Sequence, residues 1–341
     1  MLALQSFSAA QKGSLSEGKV LLAPLERVTV LQAAGADTVE FLQGQLTQDV
    51  KTLGAHDARL AGYCTAKGRL LASGVIWKGV VTESAVDPVC YFLCDTDVAP
   101  AFQKRLSMFV LRAKVKLAST ALKVIGVTAA GKTVDALEAV LGQLPRAAWI
   151  RTELASGTWI AAPEGDGSAR WWWITSEAQL DATLPSLATL GVLADPQAWQ
   201  AADIAAGLPW ITAATQDVFV PQTVNLELIG GVSFTKGCYP GQEIVARSHY
   251  LGKLKRRMFG GLADASGIDA GALPGSDIFH SADPAQPCGR VVNAALAGTQ
   301  VAVLFESTFK SMEEGSLHLD AASGPVITVH ALPYSVAEKS E

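Results

Sequence analysis

The stretch 230–247, GGVSFTKGCYPGQEIVAR, concentrates the residue types from which a reactive site can be built. Lys236 and Cys238 stand two apart in a run punctuated by Gly237, Pro240 and Gly241. The pattern predicts a short buried strand from Gly231 to Phe234, a tight loop over Thr235 to Pro240, and a helix from Gly241 onward, entered through Gln242 and Glu243. A helix N-terminus presents unpaired N–H groups with partial positive charge, and Lys236 adds a full charge beside it. Such a point suits a carboxylate or a phosphate. The same charges would favour thiolate at Cys238. Two readings of Cys238 stand side by side, a functional thiol and a small buried hydrophobe. Lys236 is a site cation or a solvated loop lysine. Arg247 and His249 belong to the site or begin a linker into a C-terminal β domain.

The elements that must hold this loop emerge from periodicity. Val28 opens a strand, VTVLQ, after which Asp37 is placed to cap a helix carrying Phe41 and Leu42. Alternating or branched runs at 58–63, 70–77 and 89–94 read as strands, and Asp97 is placed to cap a helix carrying Phe102, Leu106 and Phe109. From 113 to 193 the mixture repeats, with strands near 113–117, 122–128, 148–152, 157–161 and 170–175. Helices are predicted from Thr133 to Leu144 and from about 176 to Gly191. Asp195, Pro196 and Gly207 bracket a further helix with cap, first-turn proline and terminal glycine. After about 250 only short strands remain, at 257–262, 289–296, 300–306 and 325–330, separated by Gly, Pro, Asp and Ser. The fold class is therefore α+β followed by an all-β barrel or sandwich. The expected units are a flexible tail at 1–20, an α+β domain from 21–115 plus 195–248, a second α+β unit at 116–194, and a β-barrel at 249–336.

Composition sets bounds on function. With 27 Lys and Arg against 32 Asp and Glu, the net charge of −5 provides no global basic field for nucleic acid. The mean hydropathy of +0.26 comes from scattered Ala, Val and Leu. No uncharged apolar run approaches the roughly 20 residues of a membrane-spanning helix. Five cysteines without a repeated CxxC imply neither a disulfide framework nor a four-thiolate zinc site, and no metal site is expected. Together with an N-terminus lacking a secretory pattern, they point to the cytoplasm. Cys90 and Cys94 would share a strand face but have no further ligand nearby. In a strand, Trp171 and Trp173 share one face and Trp172 takes the other, which favours packing over a stacking platform.

The run Lys236-Gly237-Cys238-Tyr239-Pro240-Gly241-Gln242-Glu243, with Arg247 beyond it, resembles the signature of the YgfZ family of folate-binding proteins, related in fold to the glycine-cleavage T-protein. Three further stretches agree: Gly35-Ala36-Asp37 through Phe41 to Val50, Cys64 through Arg69, and Gly207-Leu208-Pro209 with Pro221-Gln222 and Asn225-Leu226. The closing Leu332-Pro333-Tyr334 extends the resemblance over about 28–336. It implies a three-domain ring of two α+β domains and a C-terminal β-barrel, with tetrahydrofolate or a one-carbon derivative in a central cavity. It also implies a role in maturation or repair of iron-sulfur proteins, including radical enzymes that thiolate tRNA, with no direct nucleic-acid partner and no membrane. Trp199 falls on a family position that contacts folate, where an indole face suits a pterin. With it, the resemblance assigns Lys236, Gly237, Tyr239, Gly241, Gln242, Glu243 and Arg247 to cofactor binding, and Cys238 with Lys236 to the functional centre. The family's other folate-contacting tryptophan, just before the first strand, falls near Arg27-Val28 and is not matched here. The T-protein's catalytic aspartate falls near Asp95 and Asp97, in altered surroundings. An accessory role thus stands ahead of a folate-dependent aminomethyl-type transferase, and a direct tRNA-binding protein is the third reading.

Overall fold

The computed structural model describes residues 18–80, 87–164, 167–250 and 254–337; the expected tail at 1–20 lies almost wholly outside them. Strand β1 (Val20–Pro24) is followed by β2 (Val28–Ala34), helix α1 (Thr38–Gln43), β3 (Ala58–Cys64), β4 (Leu70–Lys78), β5 (Val89–Asp95), α2 (Ala99–Val110) and β6 (Lys116–Ser119). β2 to β6 form a five-stranded antiparallel sheet in the order β3-β4-β5-β2-β6, with Val30 opposite Leu93 and Val75 opposite Leu93 on the other side. One face is covered by α2, whose Phe102 ring lies 5.1 Å from both Tyr63 and Phe92. Burial of such side chains stabilises by about 1.5–3 kcal/mol each.

The next elements are β7 (Lys123–Ala129), α3 (Lys132–Leu141), β8 (Arg151–Leu154), β9 (Gly157–Ala161), β10 (Ala169–Thr175), α4 (Glu177–Leu187) and β11 (Gly191–Leu193). Their strands take β1 into a six-stranded sheet, order β11-β1-β7-β10-β9-β8. The stretch at 20–24 therefore belongs to this sheet, pairing parallel with β11 and antiparallel with β7. Trp171 and Trp173 point into the core under α3 and α4, with Val134, Leu137 and Leu180. Trp172 points the opposite way, as strand alternation demands.

Helix α5 (Pro196–Ala205) begins as its caps require, the Asp195 carboxylate accepting the Gln197 N–H at 2.9 Å with Pro196 at the first position. After α6 (Gln242–Tyr250) come β12 (Arg256–Asp264), β13 (Asp277–His280), β14 (Asp283–Ala297), β15 (Gln300–Thr308), β16 (Leu317–Leu319) and β17 (Val326–His330). They close a six-stranded barrel, order β12-β15-β14-β13-β16-β17, through the β12–β17 pairing. Its described residues contain only single 3₁₀ turns as helix. One core joins both sheets and the barrel: Val30, Trp77, Trp172, Trp199, Met258 and Leu304 belong to a single cluster.

Local expectations fail where polar side chains find other partners. Asp37 does not cap α1; its carboxylate accepts the Lys114 N–H at 2.7 Å. Asp97 does not cap α2, whose first residue comes after Val98; the Asp97 N–H is instead held by Asp95 Oδ1 at 2.9 Å. α3 stops at Leu141 and α4 at Leu187, both short of the expected ends, and the chain then re-enters the sheet as β11. Gly231 to Phe234 is no strand: it lacks a ladder and is pinned singly, Gly231 N–H to Leu226 O and Ser233 N–H to Thr47 O.

Candidate functional site

The two groups of residues expected to form one site occupy two places. The first is a cavity of about 290 Å³ at the meeting of the two sheets and the barrel, walled by Leu25, Trp172, Trp199, Ile204, Leu208 and Trp210. Trp172 meets Trp199 and Trp210 edge-on, with ring centroids 6.0 and 6.3 Å apart. Cross-strand from Trp172 is Gly126, and a Cβ there would stand 2.4 Å from Cε3 of Trp199. Glycine at this point is what lets the indole lie against the sheet.

A buried ion pair locks the wall. Arg170 donates to Asp203 at 2.5 Å and to the Trp199 carbonyl at 3.1 Å, while its guanidinium carbon sits 4.0 Å over the Trp199 ring. That ring face is closed to a ligand. Asp203 also accepts Trp210 Nε1–H at 3.0 Å, and the Trp210 backbone is held by both polar atoms of Asn293 on β14. Burial pushes the Asp203 carboxyl above its ordinary range, with Arg170 pulling it back. Deleting one partner of such a pair is far costlier than never building it.

Polar groups also line the cavity mouth. Asp95 is buried at the end of β5, and burial raises its carboxyl while the Asp97 N–H and Arg27 oppose the shift. Arg27 Nη2 lies 3.9 Å from both Asp95 and Asp97. Arg27 thus lines the same cavity as Trp199. Trp172 Nε1 is buried without a hydrogen-bond partner. The cavity therefore offers indole surface, a carboxyl and an unused N–H donor, a set suited to a planar heterocycle bearing its own donors and acceptors.

The second place is the 236–247 loop and helix, none of whose residues lines the cavity. Lys236 is buried rather than presented to a ligand: its ammonium donates to the carbonyls of Gln43 and Leu46, at the C-terminal end of α1. Four carbonyls lack partners at any helix end, and a cation there is favourable. Burial draws its pKa down to about 8, with Asp49 and Cys238 opposing. Tyr239 is buried, its ring 5.0 Å from the Lys236 nitrogen. Gly237, Cys238, Glu243 and Arg247 are exposed, and Gln242 is half-buried at the start of α6. Both Arg247 and His249 lie within α6, where His249 stacks on Phe234 at 3.8 Å. Cys238 is thus a surface thiol on a loop held from behind, whereas Cys64, Cys90 and Cys94 are core residues with burial pushing them up to about 12, 11 and 12.

The other motif stretches explain how the loop is held. Thr47 Oγ1 donates to Gly231 O and accepts Gly62 N–H, and Gln48 Nε2 donates to Leu60 O and Gly230 O. Gln222 Nε2 donates to Val245 O in α6, and Asn225 bridges to the Met258 backbone in the barrel. Tyr334 Oη donates to Gly207 O at 2.8 Å.

Sequence reasoning missed Trp172, Trp210, Arg170 and Asp203. For Trp172 the signal existed, since strand alternation separates it from its neighbours; the ion pair spans 33 residues and left no local trace. Among the described residues no group of three His, Cys, Asp or Glu is placed to hold a metal ion, and no helix is long and apolar enough to cross a membrane.

No protein-family model matches the chain. It is 32% identical over 266 residues to the tRNA-modifying protein YgfZ of Yersinia pseudotuberculosis serotype O:1b (strain IP 31758), covering 77% of each. It is 33% identical over 232 residues to that of Edwardsiella ictaluri (strain 93-146), covering 67% of each. Among solved structures, the glycine cleavage system aminomethyltransferase T from Bartonella henselae superposes with a TM-score of 0.66 at 13% identity, over 93% of this chain and 86% of that one. The last likeness establishes the aminomethyltransferase T fold, and the signature stretches agree with the first two: the chain belongs to the YgfZ family.

Proposed function

We propose that this protein binds tetrahydrofolate or a one-carbon derivative and serves as an accessory factor in the maturation or repair of iron-sulfur proteins, affecting tRNA thiolation indirectly. The observation that carries the reading is the cavity itself: indole walls, a buried Asp95 carboxyl at its mouth and the unpartnered Nε1–H of Trp172, in a chain of this family. These residues fit a reduced pterin, with the indoles for the ring and Asp95 for its N–H donors. Bound folate would supply one-carbon chemistry; the chain's own part is to hold the ring and exclude water. The relatives' name, tRNA-modifying protein, fits an effect through radical enzymes that thiolate tRNA, because the net charge of −5 argues against the chain gripping RNA by its overall field.

Calorimetric titration with tetrahydrofolate tests the reading. One-to-one binding that also raises the melting temperature supports it, and no heat and no thermal shift at saturating ligand would remove it. Asp95, a buried carboxyl in the cavity, favours a second reading, a folate-dependent aminomethyl-type transferase. Turnover of folate with a defined one-carbon donor, lost in Asp95→Asn, would select it.

A further inference from the structure

Charge is segregated along this chain. Residues 98–134 hold seven of its 27 Lys and Arg and none of its 32 Asp and Glu. The fold gathers three of these cations at one end of α2: Lys104 on its outward side, and Arg112 and Lys114 in the turn after it. Lys116, on the edge strand β6, pairs with Ala34 and takes the other face of the sheet. α2 and β6 are tied together, Gln103 donating to Leu117 O and accepting from Ser119 Oγ. Among the described residues no carboxylate pairs with any of these three cations; the Asp37 carboxylate is engaged by the Lys114 backbone N–H. Arg105, next along the helix, is turned to the Tyr63 hydroxyl.

Three large apolar side chains stand among these charges. Met108 is 68% exposed, Phe109 45% and Leu111 88%. Leu111 ends α2 at φ 43°, a conformation unfavourable for leucine, and at that exposure no packing within the chain offsets it. Surface hydrophobes scattered singly need no explanation, but three within four residues, ringed by unpaired cations, form a patch.

We propose that the end of α2 with the turn that follows it is a docking surface for another protein, one presenting an apolar groove rimmed by Asp and Glu. Charge complementarity selects an acidic partner. The apolar residues select protein over RNA, because Met and Leu gain nothing from a phosphate backbone, whereas Met, Phe and Arg are the types enriched in protein interfaces. None of these residues lines the cavity, so the inference stands whether or not folate binds.

The test places a photo-crosslinking amino acid at position 108 of the full chain in living cells, with position 326, an exposed barrel valine, as control. The expected result is one discrete protein adduct at 108, absent at 326 and absent when Lys104→Glu and Arg112→Glu are also present. The adduct protein, purified and titrated with the wild-type chain, should bind with an affinity that falls at least tenfold for Arg112→Glu and falls with added salt. All variants should keep the wild-type melting temperature, since these side chains are exposed. The proposal is overturned by an RNA adduct at 108, by no adduct specific to 108, or by one that survives charge reversal.

Discussion

Gly241 and Gly68 meet backbone to backbone: a Cβ on Gly241, at φ 81°, would stand 2.7 Å from the Gly68 Cα and 2.4 Å from the Thr65 carbonyl oxygen. This contact seats the Cys238 loop on the turn after β3, so two stretches of the family signature are halves of one joint. Gly241→Ala should therefore cost about 2 kcal/mol or more, combining a strained φ with a backbone clash. Urea unfolding measures it, and hydrogen exchange should show the loss of protection confined first to the loop. A change under about 0.5 kcal/mol would mean that the joint is not tight.

The Lys236 amine makes stability depend on pH in a direction opposite to that of a surface lysine pair. Its folded value of about 8 lies below the ordinary 10.5. Between those values the unfolded chain holds a proton that the folded chain has shed. Stability therefore rises as pH climbs from 8 toward 10.5, and the full cost of charging the buried amine is present below 8. Relative to Lys236→Met, the wild type should gain about 1–2 kcal/mol between pH 7.5 and 9.5. The comparison is made with Cys238→Ala in both proteins, because that thiol interacts with the amine; the remaining cysteines and tyrosines are common to both and cancel. Parallel curves would show that the amine keeps its ordinary value.

The buried Arg170–Asp203 pair predicts strong coupling. Asp203→Asn leaves a guanidinium buried beside Trp199 without its counter-charge, and should cost about 3–5 kcal/mol. The joint change Arg170→Met with Asp203→Leu removes both charges and should recover most of that loss. A double-mutant cycle with no coupling would contradict the pairing.

Within the cavity, Trp172→Phe keeps an aromatic wall but removes the unpartnered N–H. If a ligand acceptor takes that proton, tetrahydrofolate affinity should fall about tenfold with little change in fold stability. Trp199→Ala should weaken binding by about 1 kcal/mol or more, and it should also destabilise the fold, because the indole fills the space over Gly126. Unchanged affinity in both would place the ligand elsewhere.

How much of this was legible in the sequence depended on range. The strand-to-helix caps of α5 could be read from Asp195 and Pro196 because donor and acceptor lie two residues apart. The barrel could be read from short strands punctuated by turn residues. Lys236 was legible as important but not in its role, since the carbonyls it serves are about 190 residues away. Asp37 was misplaced as a cap for the same reason, its carboxylate serving Lys114, 77 residues away; Asp97 was misplaced because α2 begins one residue later than expected, after Val98. The stretch 20–24 escaped because its pairing with β7 and β11 is decided entirely by tertiary contacts.

Cys238 carries the prediction that separates a functional thiol from a structural one. It is exposed on a loop that Lys236, Tyr239 and Gly241 hold from below, so its side chain contributes little packing. Cys238→Ala should leave the melting temperature within about 1 °C of wild type, as expected for a surface change worth under about 0.5 kcal/mol. In cells lacking the protein, it should nevertheless fail to restore iron-sulfur enzyme activity. Cys64→Ala is the counterpart, because Cys64 is a core thiol with no access to a partner. It should lose about 1 kcal/mol of stability through the vacated volume and still restore activity when soluble expression is matched. Full rescue by both would reduce Cys238 to a spacer and leave the loop acting through its backbone; failure of Cys238→Ala alone would fix the thiol as the reacting group.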